Sequence, residues 1–296
     1  MSESLLQSAI AAAEVGGTIL RRNFRAGNLE VREKSPSDFV TRVDRESEVA
    51  VVAELRRRHP DHAILAEEGG FTAGSAPDAE YQWVLDPLDG TTNFLQGVPM
   101  FAVSIACLQR RPQGWRVVVG VVLDPLGPNL FAARRGGGAT WNGAPMRVAE
   151  RQVPSGGGSG LTDAFLATGF PFRARAAIRP HLDVLGEILE QARDLRRCGS
   201  AALDLAYTAA GVFDGFFELR LSPWDIAAGS LLVEEAGGRV SDFDGGGEFL
   251  RSGNVLAATP VVYAPLQKLV SRFLSEAEVD RLVPLRAGLE VVAGEA

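Results

Sequence analysis

Residues 83–94 read Trp83-Val84-Leu85-Asp86-Pro87-Leu88-Asp89-Gly90-Thr91-Thr92-Asn93-Phe94, and this run decides the fold. Three apolar residues in succession suit a strand buried on both faces. The strand is expected to end at Asp86, because Pro87 has no N–H to give to a ladder. Asp89-Gly90-Thr91-Thr92 then has the composition of a turn that starts a helix. Two carboxylates three residues apart at such a corner can converge on one point. The N–H groups of Gly90, Thr91 and Thr92, free at a helix start, suit an anion, and phosphate is their natural guest. The chain carries its own control. Leu123-Asp124-Pro125-Leu126 repeats the first part but continues Gly127-Pro128-Asn129, without a second aspartate or a threonine pair. The Asp-Pro-Leu string alone is a strand end turned by proline, and only the full run is specific.

Around this corner the apolar pattern predicts further elements. An amphipathic helix opens the chain, with capping-box spacing from Ser4 to Gln7. Glu33 to Asp38 reads as a loop or hairpin, and a second helix runs from about Asp44 to Arg58, stopped by Pro60. Ala63-Ile64-Leu65-Ala66 is a short strand followed at once by Glu67-Glu68. Phe101–Leu108 and Trp115–Leu123 read as long strands, and Asn142-Gly143 as a hairpin turn. Ser155-Gly156-Gly157-Gly158-Ser159-Gly160 is the strongest linker signal, so a boundary is expected there. Residues 1–154 thus form an α+β half carrying most of the acidic motifs. Residues 161–275 alternate strand-like and helix-like segments, an α/β rhythm, with Trp224–Ala236 read as one of the helices. The tail 276–296 shows no readable pattern.

Composition narrows the classes. In 296 residues, 46% hydrophobic and 23% charged, a disordered chain is ruled out. Two cysteines, Cys107 and Cys198, form no thiolate cluster for zinc and suit a reducing compartment. A net charge of −7 argues against nucleic acid as the main partner. No apolar run reaches the roughly 18 residues that a membrane helix needs, and the N-terminus lacks the basic segment of a signal peptide. A cytoplasmic protein is expected.

Three further acidic motifs stand beside the central run: Asp38-Phe39-Val40-Thr41-Arg42-Val43-Asp44, Glu67-Glu68, and Trp224-Asp225-Ile226-Ala227-Ala228-Gly229. Taken singly, Asp44 and Asp225 read as helix caps and the glutamate pair as solvated surface. Taken together and in this order, the four motifs resemble the inositol monophosphatase family, lithium-sensitive, magnesium-dependent phosphatases, over about Leu5 to Leu274. Ala167-Thr168-Gly169-Phe170-Pro171-Phe172-Arg173 and Phe217-Glu218-Leu219 fit the bacterial branch. The resemblance implies a layered αβαβα sandwich with the site between its halves, usually as a homodimer.

It also implies roles. Glu67, Asp86 and the Leu88 carbonyl hold a first metal, Asp86, Asp89 and Asp225 a second, and Asp44 assists a third, weaker one. Glu67, Asp86, Asp89 and Asp225 brought close would repel strongly, and divalent cations relieve that repulsion. All-oxygen ligands favour Mg2+, with Mn2+ as the alternative, over zinc. Two such ions about 3.5–4 Å apart can clamp both oxygens of an in-line displacement. Thr91 and Glu67 would then orient and deprotonate a water, while Gly90, Thr91 and Thr92 hold phosphate oxygens. Glu218, Asp89 and the Gly199-Ser200-Ala201 loop would contact the alcohol. The implied activity is hydrolysis of a small polyol or sugar phosphate, inositol 1-phosphate foremost. Histidinol phosphate, fructose 1,6-bisphosphate and adenosine 3′,5′-bisphosphate remain open, as does a binding or regulatory protein on the same fold. His59 and His62 read as solvated loop, His181 as a surface helix residue, and Arg21-Arg22 and Arg56-Arg57-Arg58 as charges at helix C-termini.

Overall fold

Every residue of the decisive strand, Tyr81–Asp89, is buried, which places it inside a sheet covered on both faces. The computed structural model describes residues 2–27, 29–35, 38–76, 78–127, 129–150 and 160–285. Within them, β1 (Arg32–Ser35) and β2 (Asp38–Val40) form a hairpin. The larger sheet contains β3 (Ala63–Ala66), β4 (Gly70–Thr72), β5 (Tyr81–Asp89), β6 (Ala102–Arg111) and β7 (Gly114–Asp124). It continues through β8 (Asn129–Arg134), β9 (Ala139–Trp141) and β10 (Ala144–Met146), in the order β10-β9-β8-β7-β6-β5-β3-β4. Its neighbours are antiparallel except β3 and β5. The smaller sheet contains β11 (Phe165–Thr168), β12 (Asp194–Arg196), β13 (Gly215–Glu218), β14 (Arg239–Ser241) and β15 (Val255–Ala258), in the order β12-β11-β13-β15-β14. It is mixed: β11 runs parallel to β12 and β13, and β15 is antiparallel to β13 and β14.

Helices fill the layers between and outside the sheets. They are α1 (Ser2–Asn23), α2 (Arg42–Arg58), α3 (Thr91–Gln96), α4 (Ile178–Gln191), α5 (Ala201–Ala209), α6 (Pro223–Glu235), α7 (Phe249–Ser252), α8 (Pro260–Phe273) and α9 (Glu276–Leu282). Strand alternation sorts the core. Val103, Ile105 and Cys107 of β6 point into a cluster with Ala9, Leu20, Val51 and Leu55 of α1 and α2. Ala102, Ala106 and Leu108 point the other way, toward Leu205, Ile226 and Leu231 of α5 and α6. Phe216 and Ala257 of the smaller sheet close that same cluster from beyond. Val184, Ile188, Leu266 and Val270 of α4 and α8 cover its outer face. The result is the layered αβαβα arrangement, with α5 and α6 as the middle layer. A helix between two sheets must be apolar all round, and α6 is buried from Asp225 through Val233 without a break.

Several local expectations differ from the structure. Pro87 does not end β5. Asp86 pairs with Ser104 and Asp89 with Ala102, so one extra residue of β5 is accommodated in a bulge around Pro87. Ser4 is not a cap, because α1 begins at Ser2; its carbonyl accepts from Ser8 Oγ at 3.0 Å. His62 is 7% exposed and stacked between His59 and Tyr81, at 4.6 and 5.0 Å between ring centroids. The loop after α2 folds back on the sheet end, and burial holds His62 down at about 4. His181 is 2% exposed, since it shares the buried stripe of α4 with Val184, Leu185 and Ile188 at helical spacing. Arg56 reaches past its helix end to the carbonyls of Thr72 and Ala73, and Arg21 to that of Pro125. The tail is partly ordered: Ser275 caps α9, and Glu276 accepts from Phe243 N and Asn254 Nδ2. The linker expected at Ser155–Gly160 lies outside the described residues except for Gly160.

Gly90 makes the corner between β5 and α3. Its φ is +97°, and a Cβ there would stand 2.9 Å from the Met100 carbonyl oxygen. Gly90→Ala is expected to lose about 1–2 kcal/mol for the left-handed backbone, read as a lower urea midpoint with unchanged slope. An unshifted midpoint would remove the strain.

Candidate active site

The bulge in β5 makes the site possible. Residues three apart in a regular strand face opposite sides of the sheet. One added residue restores the phase, so Asp86 and Asp89 can turn to the same side. Asp225 joins them from the first turn of α6, and one carboxylate oxygen from each of the three lies within 4.8 Å of the others. These residues wall a cavity of about 390 Å³ at the seam between the two sheets, together with Glu67, Leu88, Gly90, Thr91, Thr92, Gly199, Ala201 and Glu218.

Each carboxylate is held by backbone or hydroxyl donors. Asp86 accepts from Leu88 N at 2.8 Å, inside the bulge. Asp89 Oδ2 accepts from Ser200 Oγ at 2.6 Å and from Ala202 N at 2.8 Å, at the start of α5. Asp225 accepts from Ser222 N at 2.7 Å, closing a capping box. Ser200 thus stands behind the cavity as the partner of Asp89 and as the N-cap of α5. Asp44 also stands behind it. It closes a capping box with Thr41, and its Oδ1 accepts from Thr91 Oγ1 at 3.1 Å. The same threonine hydroxyl lies 3.1 Å from the Leu88 carbonyl oxygen.

Glu67 lines the cavity wall but lies outside the tight trio. Its backbone N–H donates to the Leu85 carbonyl at 3.2 Å, where the turn after β3 meets β5.

Electrostatics favour protons or cations here. Burial pushes Asp86 well above the usual carboxylate range, and the charges of Glu67, Asp89 and Asp225 add to it. Burial raises Asp89 to about 6, against the pull of its Ser200 and Ala202 bonds. Asp225 rises to about 7 through burial and then the charges of Asp89 and Glu67. Asp44 is raised by burial, opposed by its bonds to Thr41. Glu218 is pushed up to about 8 by burial and the neighbouring Asp204. A set of hard, anionic oxygens that desolvation and mutual repulsion leave short of positive charge fits a divalent cation such as Mg2+ or Mn2+.

Part of the wall has no counterpart among the expected site residues. Phe39 reaches in from the β1–β2 hairpin, and Phe170, Phe172, Arg173 and Arg197 also line the cavity; the Arg173 charge acts on Asp225 and that of Arg197 on Glu218. The Arg197 guanidinium lies 5.8 and 5.5 Å from the Phe170 and Phe172 ring centroids. Arg173 and both phenylalanines lie in the Ala167–Arg173 motif, whereas nothing in sequence distinguishes Arg197 from other loop arginines. Asp204 is a further buried acid beneath the site, raised to about 8 by burial, with the Cys198 thiol as its hydrogen-bond partner. In sequence it reads only as an acid in the first turn of α5.

A layered fold with an acidic oxygen cluster at the seam between its sheets defines a class of metal-site proteins, and comparison with known proteins narrows it. Residues 1–276 match the inositol monophosphatase family, and the chain belongs to that family. The protein called Nus factor SuhB in Pseudomonas aeruginosa is 46% identical over 267 residues, covering 89% of this chain and 94% of that one. Its namesake in Escherichia coli K12 is 43% identical over 274 residues, covering 92% and 98%. The crystal structure of extragenic suppressor protein SuhB from Bartonella henselae superposes with a TM-score of 0.83 at 38% identity, covering 90% and 98%. The Thermotoga maritima IMPase superposes with a TM-score of 0.79 at 33% identity, covering 93% and 98%. Among the described residues no helix is long and apolar enough to cross a membrane.

The raised carboxylates give a linkage prediction. Asp89 at about 6 and Asp225 at about 7 bind protons more tightly folded than unfolded, where the ordinary value is 3.8. Their stabilising protonation is complete below the unfolded value and is lost as pH rises through 6 to 7. Metal-free protein should therefore melt at a lower temperature at pH 8 than at pH 5.5. Mg2+ should raise the melting temperature more at pH 8. A Mg2+ shift independent of pH would separate these carboxylates from the cation.

Proposed function

We propose that this chain is a magnesium-dependent phosphomonoesterase that hydrolyses a small polyol or sugar phosphate, inositol 1-phosphate foremost. One observation carries the reading: three buried carboxylates, Asp86, Asp89 and Asp225, meet within 4.8 Å beside the Gly90–Thr92 backbone. Family membership supports phosphatase chemistry in general. Asp86, Asp89, Asp225, Glu67 and the Leu88 carbonyl would hold two cations, with a third, weaker one toward Asp44. Bound there, Mg2+ supplies Lewis acidity and neutralises charge on the phosphoryl oxygens.

The chain's own residues supply the rest. Thr91 Oγ1 has one proton and two acceptors in reach, Asp44 Oδ1 and the Leu88 carbonyl. It can take a proton from an attacking water as its own passes to Asp44, which leaves the water oxygen free to form the new bond to phosphorus. Glu67, on the same wall, orients that water. The bond from phosphorus to the alcohol oxygen breaks, and the alcohol takes its proton from solvent. Gly90, Thr91 and Thr92 hold the phosphoryl oxygens, while Glu218, Gly199, Ser200 and Ala201 face or support the alcohol. A homodimer, cytoplasmic location and inhibition by lithium belong to the same reading.

A second reading rests on the names of the relatives. Proteins more than 40% identical are called Nus factors. We infer a regulatory role for this chain that does not need turnover.

Asp89→Asn is expected to lower turnover at least a hundredfold with the fold intact, read on inositol, histidinol, fructose and adenosine phosphates with Mg2+. Full activity at ordinary Mg2+ would remove Asp89 from the metal site. If that inactive variant still rescues a deletion strain, the second role is separate from catalysis. Glu218→Gln should narrow the ratio between inositol 1-phosphate and a generic aryl phosphate. Unchanged relative rates across the panel would count against alcohol recognition by Glu218.

A further inference from the structure

Helix α2 should be an ordinary cover for the larger sheet, and its later turns are: Val51 and Leu55 are buried with the α1 core. Its first turns break that pattern. Asp44, Ser47 and Glu48 are 1%, 0% and 7% exposed, three polar residues where apolar ones would pack more cheaply. Spacing of three and four residues sets them on one face of the helix, and two acids four apart on one face repel. Packing alone gives no reason for this choice.

Their partners do. Asp44 Oδ1 accepts from Thr91 Oγ1 at 3.1 Å, Ser47 Oγ donates to the Pro87 carbonyl at 3.1 Å, and Glu48 Oε2 accepts from Glu68 N at 2.8 Å. One helix face thus grips three separate segments of the site: Thr91 at the start of α3, the bulge between Asp86 and Asp89, and the turn that carries Glu67. Glu67 is fixed on both sides, by its own N–H on the Leu85 carbonyl and by the next N–H on Glu48. Gly69 completes the fit. A Cβ on it would lie 2.8 Å from Glu48 Oε1, so the glycine leaves room for the carboxylate.

We propose that Glu48 is a positioning residue, which holds the Glu67 turn in register with Asp86 so that Glu67 can reach the cation shared by the cluster. The proposal rests on the metal-site reading above and adds a residue outside the cavity to it. Outer partners of this kind commonly govern metal affinity by about 10–100-fold.

The test reads metal binding directly as well as turnover. Mn2+ is titrated into metal-free protein and followed by electron paramagnetic resonance, and Mg2+ half-activation is measured separately. Glu48→Ala should weaken Mn2+ binding about tenfold and raise the Mg2+ requirement equally. KM for the ester at saturating metal should stay within twofold. Glu48→Gln keeps an acceptor for Glu68 N and should stay within threefold of wild type. Gly69→Ala approaches the contact from the other side. It meets only the carboxylate end of the Glu48 side chain and no backbone, so it should displace the carboxylate without unfolding the chain and should behave like Glu48→Ala. Mn2+ affinity changed less than threefold in Glu48→Ala and Gly69→Ala overturns the proposal. So does an equal loss in Glu48→Gln and Glu48→Ala with a matching fall in melting temperature, which marks general packing. Should wild type bind Mn2+ yet hydrolyse no ester, the phosphatase reading fails, and the Mn2+ titration still decides the role of Glu48.

Discussion

Repulsion among buried carboxylates is the constraint around which this structure is arranged. At an effective dielectric of about 20, two full charges under 5 Å apart oppose each other by at least about 3 kcal/mol. Asp86, Asp89 and Asp225 make three such pairs. A folded domain has only about 5–15 kcal/mol in hand, so three bare charges would consume most of it. Burial first, and then the neighbouring carboxylate charges, raise all three, so protons are retained where no cation is near. It also answers with donors, since each of the three accepts a hydrogen bond from a backbone N–H. These bonds soften the cost without removing it, and the remaining deficit suits a divalent cation.

The layers follow from the need to bring those acids together. Asp86 and Asp89 come from a strand buried on both faces, and Asp225 from a helix between two sheets. The middle helices deliver their N-termini to one place: α5 gives the Ser200 hydroxyl and the Ala202 N–H to Asp89, and α6 carries Asp225 in its first turn. Partial positive charge at both helix starts lies on the side of the acids. The arrangement would be a poor use of apolar middle-layer helices if the seam were only packing.

Much of this was legible in the residues. Val84-Leu85 followed by Asp86 and Asp89 read as a buried strand ending in acids, because apolar runs and local spacing are written in neighbouring positions. The bulge was not legible. Pro87 at a strand end and Pro87 inside a bulge look alike in sequence, and the choice depends on how β6 pairs opposite. The histidines failed for a related reason. His181 falls at a buried position of α4 only once the smaller sheet supplies Phe217 beneath it, at 5.8 Å between rings. Arg197 and Asp204 gave no signal, since cation–π contact and burial are properties of the assembled wall. Glu276 gave none either, because its partners lie 33 and 22 residues away.

The two sides of the cavity obey different constraints. The acidic side is over-determined: Asp86, Asp89 and Asp225 each have a donor behind them, and α2 braces three of the surrounding segments. Phe170, Phe172 and Arg197 are held by ring and cation contacts, and the two phenylalanines are 39% and 51% exposed. Among the described hydrogen bonds none joins these three residues to the trio, although the Arg197 charge acts on Glu218 and Asp204. A fold built this way fixes the geometry of the braced acids. The fold and its acids are common to proteins of many substrates, so membership in the family narrows the reaction class more than it narrows the substrate.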